Sequence, residues 1–146
     1  MRTLSVFSTW HPSGYEKYGK LFVQGYTTNW PKEVPLTIYA EGHTPDTDNP
    51  NVTVLDQAST LPDLKAWQLR HKNNKHAHGW NKDLSKKSFL WDASRFANKV
   101  FALWHFANNC NTDIFIWCDG DVRTHTTLPL DFLQSIAPNE NQLATY

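Results

Sequence analysis

Residues 113–121 read Asp-Ile-Phe-Ile-Trp-Cys-Asp-Gly-Asp, five consecutive apolar residues (Ile114 to Cys118) bounded by polar ones. An apolar run without alternation suits a strand buried on both faces, as in a parallel sheet. Upstream, Ser88 to Asn109 reads as a helix. At about 100° per residue, Phe96, Val100, Leu103, Trp104 and Ala107 share one apolar face. At the amino end, Thr3 to Trp10 is an apolar, β-branched run that stops at His11-Pro12-Ser13-Gly14, a strand followed by a turn. From Tyr15 to about Asn29, apolar residues at Tyr15, Tyr18, Phe22 and Tyr26 predict a helix, weakened by Gly19 and Gly25 and stopped by Pro31 and Pro35. Leu36–Ala40 is a second strand and Asn51–Gln57 a third, separated by turn residues. Asp63 to about Lys72 and about Asp131 to Ile136 complete the helices. Mostly alternating strands and helices predict a single α/β domain over residues 1–146, a mostly parallel sheet flanked by helices. The chain reaches Ala144-Thr145-Tyr146 as another strand could begin, so the architecture reads as truncated.

Composition sets the outer limits. The 146 residues suffice for one domain, and 40% apolar content suffices for one core. Fourteen Lys plus Arg balance fourteen Asp plus Glu. That neutrality argues against wholesale electrostatic binding to nucleic acid or an anionic membrane. No apolar run approaches the ~18 residues of a membrane span. The first residues read as a strand rather than a signal peptide, and Cys110 and Cys118 form no disulfide framework or zinc spacing. A cytoplasmic setting is the expectation. Between Arg70 and about Ser88, six Lys or Arg face one acid, Asp83, which predicts an exposed, mobile basic segment.

The chemistry concentrates after the apolar run. In parallel α/β sheets ligands bind at the carboxyl ends of strands, where Asp119-Gly120-Asp121 falls. Two carboxylates one residue apart can converge on a hard divalent cation such as Mg²⁺ or Mn²⁺, with Gly120 letting the backbone bend. Asp-Gly is also ordinary turn chemistry, and the same triplet can simply end a strand. On the preceding helix, Asp92, Arg95 and Lys99 fall within about 60° of one another. The two cations there could neutralise a diphosphate beside the metal, or form a solvated stripe with Asp92 paired to Arg95.

The stretch FLWDASRFANKVFALWHFANNCNTDIFIWCDGDV, residues 89–122, resembles the donor-binding half of glycosyltransferases with the GT-A fold. Their hallmark is an Asp-x-Asp motif after a hydrophobic strand. The matching pattern is Trp91, Arg95-Phe96, Lys99-Val100, Asp113, and Trp117-x-Asp119-x-Asp121. The opening Phe7-Ser8-Thr9-Trp10-His11 is similar to the family's nucleotide-binding start. The resemblance implies a Rossmann-like, GT-A-type domain with a nucleotide-sugar donor, UDP- or GDP-linked, and Mn²⁺ or Mg²⁺ on its diphosphate. Asp121 would be the direct metal ligand, with Asp119 on the ribose or on the metal through water. Arg95 and Lys99 would sit near the diphosphate or sugar, and Ser8 and Thr9 near the base. The metal would act as a Lewis acid on the leaving nucleoside diphosphate. The family's second half supplies the acceptor pocket, whereas this chain stops 25 residues after Asp121. It therefore reads as a fragment, a donor-binding remnant, or a minimal protein completed by a partner chain or a second copy. After Asp121 only His125 and Glu140 offer acceptor-side chemistry, and the acceptor is unknown.

Other classes weigh less. A catalytically inactive α/β binding or interaction module would keep the fold without turnover. A phosphohydrolase of the haloacid dehalogenase type also uses Asp-x-Asp after a strand, but near the amino terminus, with Thr or Val where Arg123 stands. His71, His76 and His78 fit no familiar zinc spacing. The basic segment with Trp67 and Trp80 could stack single-stranded nucleic acid, close over an anionic donor, or remain a solvated loop. Ser94 lies mid-helix, without the neighbouring base a nucleophile needs.

Overall fold

The computed structural model describes residues 1–139 and 141–145. Its strands are β1 (Leu4–Trp10), β2 (Leu36–Ala40), β3 (Val52–Asp56) and β4 (Ile114–Trp117). The main helices are α1 (Lys20–Asn29), α2 (Pro62–His71), α3 (Ala93–Asn109) and α4 (Leu130–Ile136). All three pairings are parallel and the strand order is β3-β2-β1-β4. This is the predicted α/β class: a Rossmann-like, four-stranded parallel sheet flanked by helices. The chain grows from β1 through β2 to β3 in one direction, then returns to place β4 on the other side of β1. That reversal creates a crevice at the carboxyl ends of β1 and β4.

The helix predicted from Tyr15 starts earlier, at a turn over Pro12–Gly14, and passes through a π-helical stretch, Tyr15–Gly19, into α1. Gly19 is a packing residue there. A Cβ would meet Tyr15 Cδ2 at 2.8 Å and the Trp10 ring at 3.3 Å. One face of the sheet packs Leu4, Val6, Trp10, Leu36 and Ile38 against Phe22, Val23 and Tyr26, with Leu133 of α4. The other packs Phe7 and Tyr39 against Leu61, Leu64, Ala97, Ala102 and Phe106.

Two expectations from periodicity are corrected. The doubly buried strand is β1, whereas β4 forms an edge and leaves Phe115 37% exposed. Strand β1 reads as less apolar because it carries Ser5 and Ser8, both buried. Their hydroxyls are satisfied by Thr112 Oγ1 at 2.6 Å and the Cys118 carbonyl at 2.7 Å, which removes the cost of burying them. Second, α3 does not bury the predicted face. Ala97, Ala102 and Phe106 point inward, while Val100 is 60% and Trp104 68% exposed. The helix is apolar on both sides, so hydrophobicity alone could not choose between them. Ala102 allows close approach to the sheet, and Phe106 stacks on Phe7 with ring centroids 4.6 Å apart.

The basic segment is exposed, as predicted, but it is also folded. It holds a helical turn, His76–His78, and a bridge between Trp80 and Lys87. Ser88 N–H donates to the Gly79 carbonyl at 2.8 Å, and Asn81 N–H to the Lys86 carbonyl at 2.9 Å. Gly79 takes a positive φ of 86°, and a Cβ there would meet the Ser88 oxygen at 2.5 Å. No helix among the described residues is long and apolar enough to cross a membrane.

Candidate functional site

The crevice beside β1 and β4 opens into a cavity of about 320 Å³. Around it stand Thr9 and His11 from the end of β1, Glu41 after β2, Arg95 and Lys99 from α3, and Asp119 and Asp121 after β4. Five of the six predicted site residues therefore converge. The exception is Ser8, which is fully buried and donates to the Cys118 carbonyl, so it fixes the approach to Asp119 without lining the cavity. A larger cleft of about 560 Å³ lies at the amino ends of β2 and β3, among Tyr26, Trp30, Pro31 and Pro50. It lacks the cluster of charges, and ligands of parallel sheets enter from the carboxyl end.

Gly120 is required by space rather than by an unusual backbone angle. A Cβ on it would lie 1.9 Å from Trp10 Nε1. That indole instead donates to the Gly120 carbonyl at 2.9 Å and pins the acidic turn to the end of β1. Asp119 Oδ1 accepts from Lys99 Nζ at 2.9 Å and from Trp117 Nε1 at 3.2 Å. The Lys99 ammonium also sits 4.4 Å from the Trp117 ring centroid. Lys99 thus holds a carboxylate, where the sequence placed it beside a diphosphate. The pair is partly exposed, so it contributes under about 1 kcal/mol and can be rearranged cheaply. Arg95 lies over the Phe89 ring at 4.2 Å, with its charge at the cavity wall. Asp92 is spent elsewhere: its Oδ1 accepts from Arg95 N–H at 3.0 Å and caps α3.

Sequence reading missed Glu41, absorbed there into a stretch of turn residues. The available signal was its position, the first polar residue after a buried strand. Thr9 Oγ1 donates to Glu41 Oε1 at 3.0 Å. Burial pushes the Glu41 carboxyl above its ordinary value, opposed by that hydrogen bond and by the charges of His11, His43 and Arg95. His11 Nδ1 accepts from Gly14 N–H at 3.1 Å and caps the following turn.

No three His, Cys, Asp or Glu converge to hold a metal among the described residues. Asp119 and Asp121, both exposed and flanking one cavity, fit a hard cation that takes one or two carboxylates and completes its shell with water and phosphate oxygens. His76 and His78 face the Trp80 and Lys72 carbonyls, and His71 packs on Trp67, so these rings point to separate partners. Cys118 is buried, with its thiol pushed up to about 11 chiefly by desolvation, and is a core residue. His125 is exposed away from the cavity lining, and Glu140 lies outside the described residues.

Fold and cavity define the class: a doubly wound parallel α/β domain with a charged crevice at its switch point. Compared with models of known families, with curated proteins and with solved structures, the chain matches none.

Proposed function

We propose that this domain binds the diphosphate of a UDP- or GDP-linked sugar, as the donor-binding portion of a metal-dependent glycosyltransferase of GT-A type. The observation that carries this reading is the convergence of Asp119, Asp121, Lys99, Arg95, Thr9 and Glu41 on one cavity at the sheet's carboxyl edge. A diphosphate needs compensating positive charge. Arg95 and Lys99 supply part of it, and a Mn²⁺ or Mg²⁺ held by Asp119 and Asp121 supplies the rest. When bound, that cation stabilises charge on the leaving nucleoside diphosphate. Asp121 is the more available ligand because Asp119 already accepts two hydrogen bonds. With Asp119 and Asp121 holding a cation, Lys99, now on Asp119, would be free to turn toward the donor's diphosphate or sugar, as the resemblance implies. Thr9 and Glu41 also line the cavity, where a hydroxyl or ring N–H of the nucleoside would meet a carboxylate already oriented by Thr9.

The test is calorimetric titration of UDP, GDP and their sugars with and without Mn²⁺, on the wild type and on Asp121→Ala. Binding is expected to require the metal and to weaken at least about tenfold in the variant, the scale of losing one charged contact of ~1.4 kcal/mol or more. A folded wild type that binds no nucleotide under any of these conditions would overturn the reading. Metal-dependent binding without sugar transfer to any acceptor would leave the inactive binding module.

A further inference from the structure

Charge is divided unevenly along this neutral chain. Residues 64–112 carry nine Lys or Arg against two acids, Asp83 and Asp92, while the rest carries five against twelve. Net neutrality thus hides a strongly basic stretch, whose local field rather than the total acts on a partner. Helix α3 lies within it, has no acid of its own, and is apolar on its outward side. At about 100° per residue, Phe96, Val100, Leu103, Trp104 and Ala107 fall within about 100° of one another. All five are exposed.

The apolar face continues past the amino end of α3 into Phe89-Leu90-Trp91, where Leu90 is 74% exposed. Phe89 joins the two parts, its ring centroid 5.4 Å from that of Phe96. Phe89, Leu90, Trp91, Val100 and Trp104 alone leave roughly 600 Å² uncovered, at the top of the range for the largest apolar patch on a monomer. Cations stand on this surface. Arg95 lies over Phe89, and Lys86 Nζ is 6.0 Å from the Trp91 ring centroid. The basic segment is fastened alongside, since its turn His76–His78 packs on both α3 and Phe89–Trp91. Lys72, Lys75, Lys82, Lys86 and Lys87 are exposed, and among the described residues none of them forms an ion pair.

A partner for this face must be anionic and apolar at once. Single-stranded nucleic acid brings the charge, and its bases would stack on Trp91, but it gives Leu90 and Val100 nothing to be buried in. A membrane containing acidic lipid supplies both needs. Tryptophan and phenylalanine rings settle at the level of the headgroups, aliphatic side chains reach the first acyl carbons, and lysine stems extend back to the lipid charges. We propose that α3 and the Phe89–Trp91 turn dock on an anionic membrane surface, with the apolar face at the headgroup–acyl boundary and the lysines of the basic segment on the headgroups.

Flotation of the whole chain with vesicles tests this, using phosphatidylcholine alone and phosphatidylcholine with about 30% phosphatidylserine. Binding to the anionic vesicles is expected to be at least about tenfold tighter, and to be lost as salt rises from about 0.1 to about 0.5 M. Leu90→Glu should weaken it at least about tenfold, with an unchanged far-ultraviolet dichroism spectrum. Replacing Lys82, Lys86 and Lys87 together by Gln should weaken it by at least about the same factor. Brominated acyl chains should quench tryptophan emission on binding, and quench it less when Trp91 and Trp104 are both changed to Phe. Absence of binding to the anionic vesicles would overturn the proposal, as would equal binding to neutral ones or indifference to Leu90→Glu. A single-stranded oligonucleotide held by the same lysines, without vesicle binding, would assign the face to nucleic acid instead. A dimer in buffer that Leu90→Glu disperses, again without vesicle binding, would assign it to a second copy. Should Leu90→Glu unfold, the lysine variant and the quenching decide. None of these readouts involves a nucleotide, so the outcome is independent of the donor-site reading.

Discussion

Gly120 shows how one residue joins fold to site. The Trp10 indole occupies the space where any side chain at 120 would stand, and it donates to the Gly120 carbonyl. Gly120→Ala should therefore cost about 2–4 kcal/mol, from overpacking plus a broken hydrogen bond, read as a lower urea midpoint. A shift within 0.5 kcal/mol, the usual range for a surface substitution, would contradict that account. Glu41 gives a second residue-scale prediction. Burial raises its folded pKa above the ordinary 4.5, so above that pH the native state holds more proton than the unfolded chain. Stability from this group is then lost as pH rises from 4.5 toward neutrality. Glu41→Gln keeps an acceptor for Thr9 without the charge. Its melting temperature should gain on that of the wild type across this interval, and a flat difference would show that Glu41 is not desolvated.

At the scale of the element, α3 is the instructive case. Its two sides are similarly apolar, and neighbouring packing decides which is buried. Ala102 is fully buried and makes room for the sheet, so Ala102→Leu should destabilise by about 1–3 kcal/mol. Trp104→Ala, although it deletes a far larger side chain, should change stability by under about 0.5 kcal/mol because Trp104 is mostly exposed. Chemical denaturation of the two variants compares the faces directly, and the reverse ranking would restore the face that periodicity favours. Strand β4 carries the same lesson. Its unbroken apolar run is shared between one covered side and one free edge, whereas β1 is buried despite two serines because β2, β4 and helices on both faces enclose it.

The whole molecule is a sheet with a tyrosine hydroxyl tied down on each face. Tyr26 donates to the Val34 carbonyl at 2.6 Å, and Tyr39 bonds His105 Nδ1 at 2.8 Å. Desolvation pushes both phenols up to about 12. Between the ordinary 10 and 12 the native state therefore binds more protons than the unfolded state, and stability should fall steadily as pH rises through that window. Alkaline melts followed by phenolate absorbance test this: the last two tyrosines should ionise only as the fold is lost. Phenolate absorbance complete near pH 10 in a still-folded protein would contradict the burial of both rings.

The sequence alone determined the class of fold, the positions of the four strands and the placement of Asp119 and Asp121 at a strand's carboxyl end. Those readings depend on local signals: apolar runs, helical spacing, and turn residues such as Pro12, Pro31 and Gly120. Tertiary structure alone decided that β4 is an edge, that α3 buries Ala102 instead of Val100, and that Ser8 turns inward. It also brought Glu41 beside Thr9 and set Lys99 on Asp119, 20 residues away in the chain. Each depends on which element lies next to which, and a single chain's local pattern carries no record of its neighbours across the sheet. Hydrophobicity says that a surface must be covered; only packing says by what.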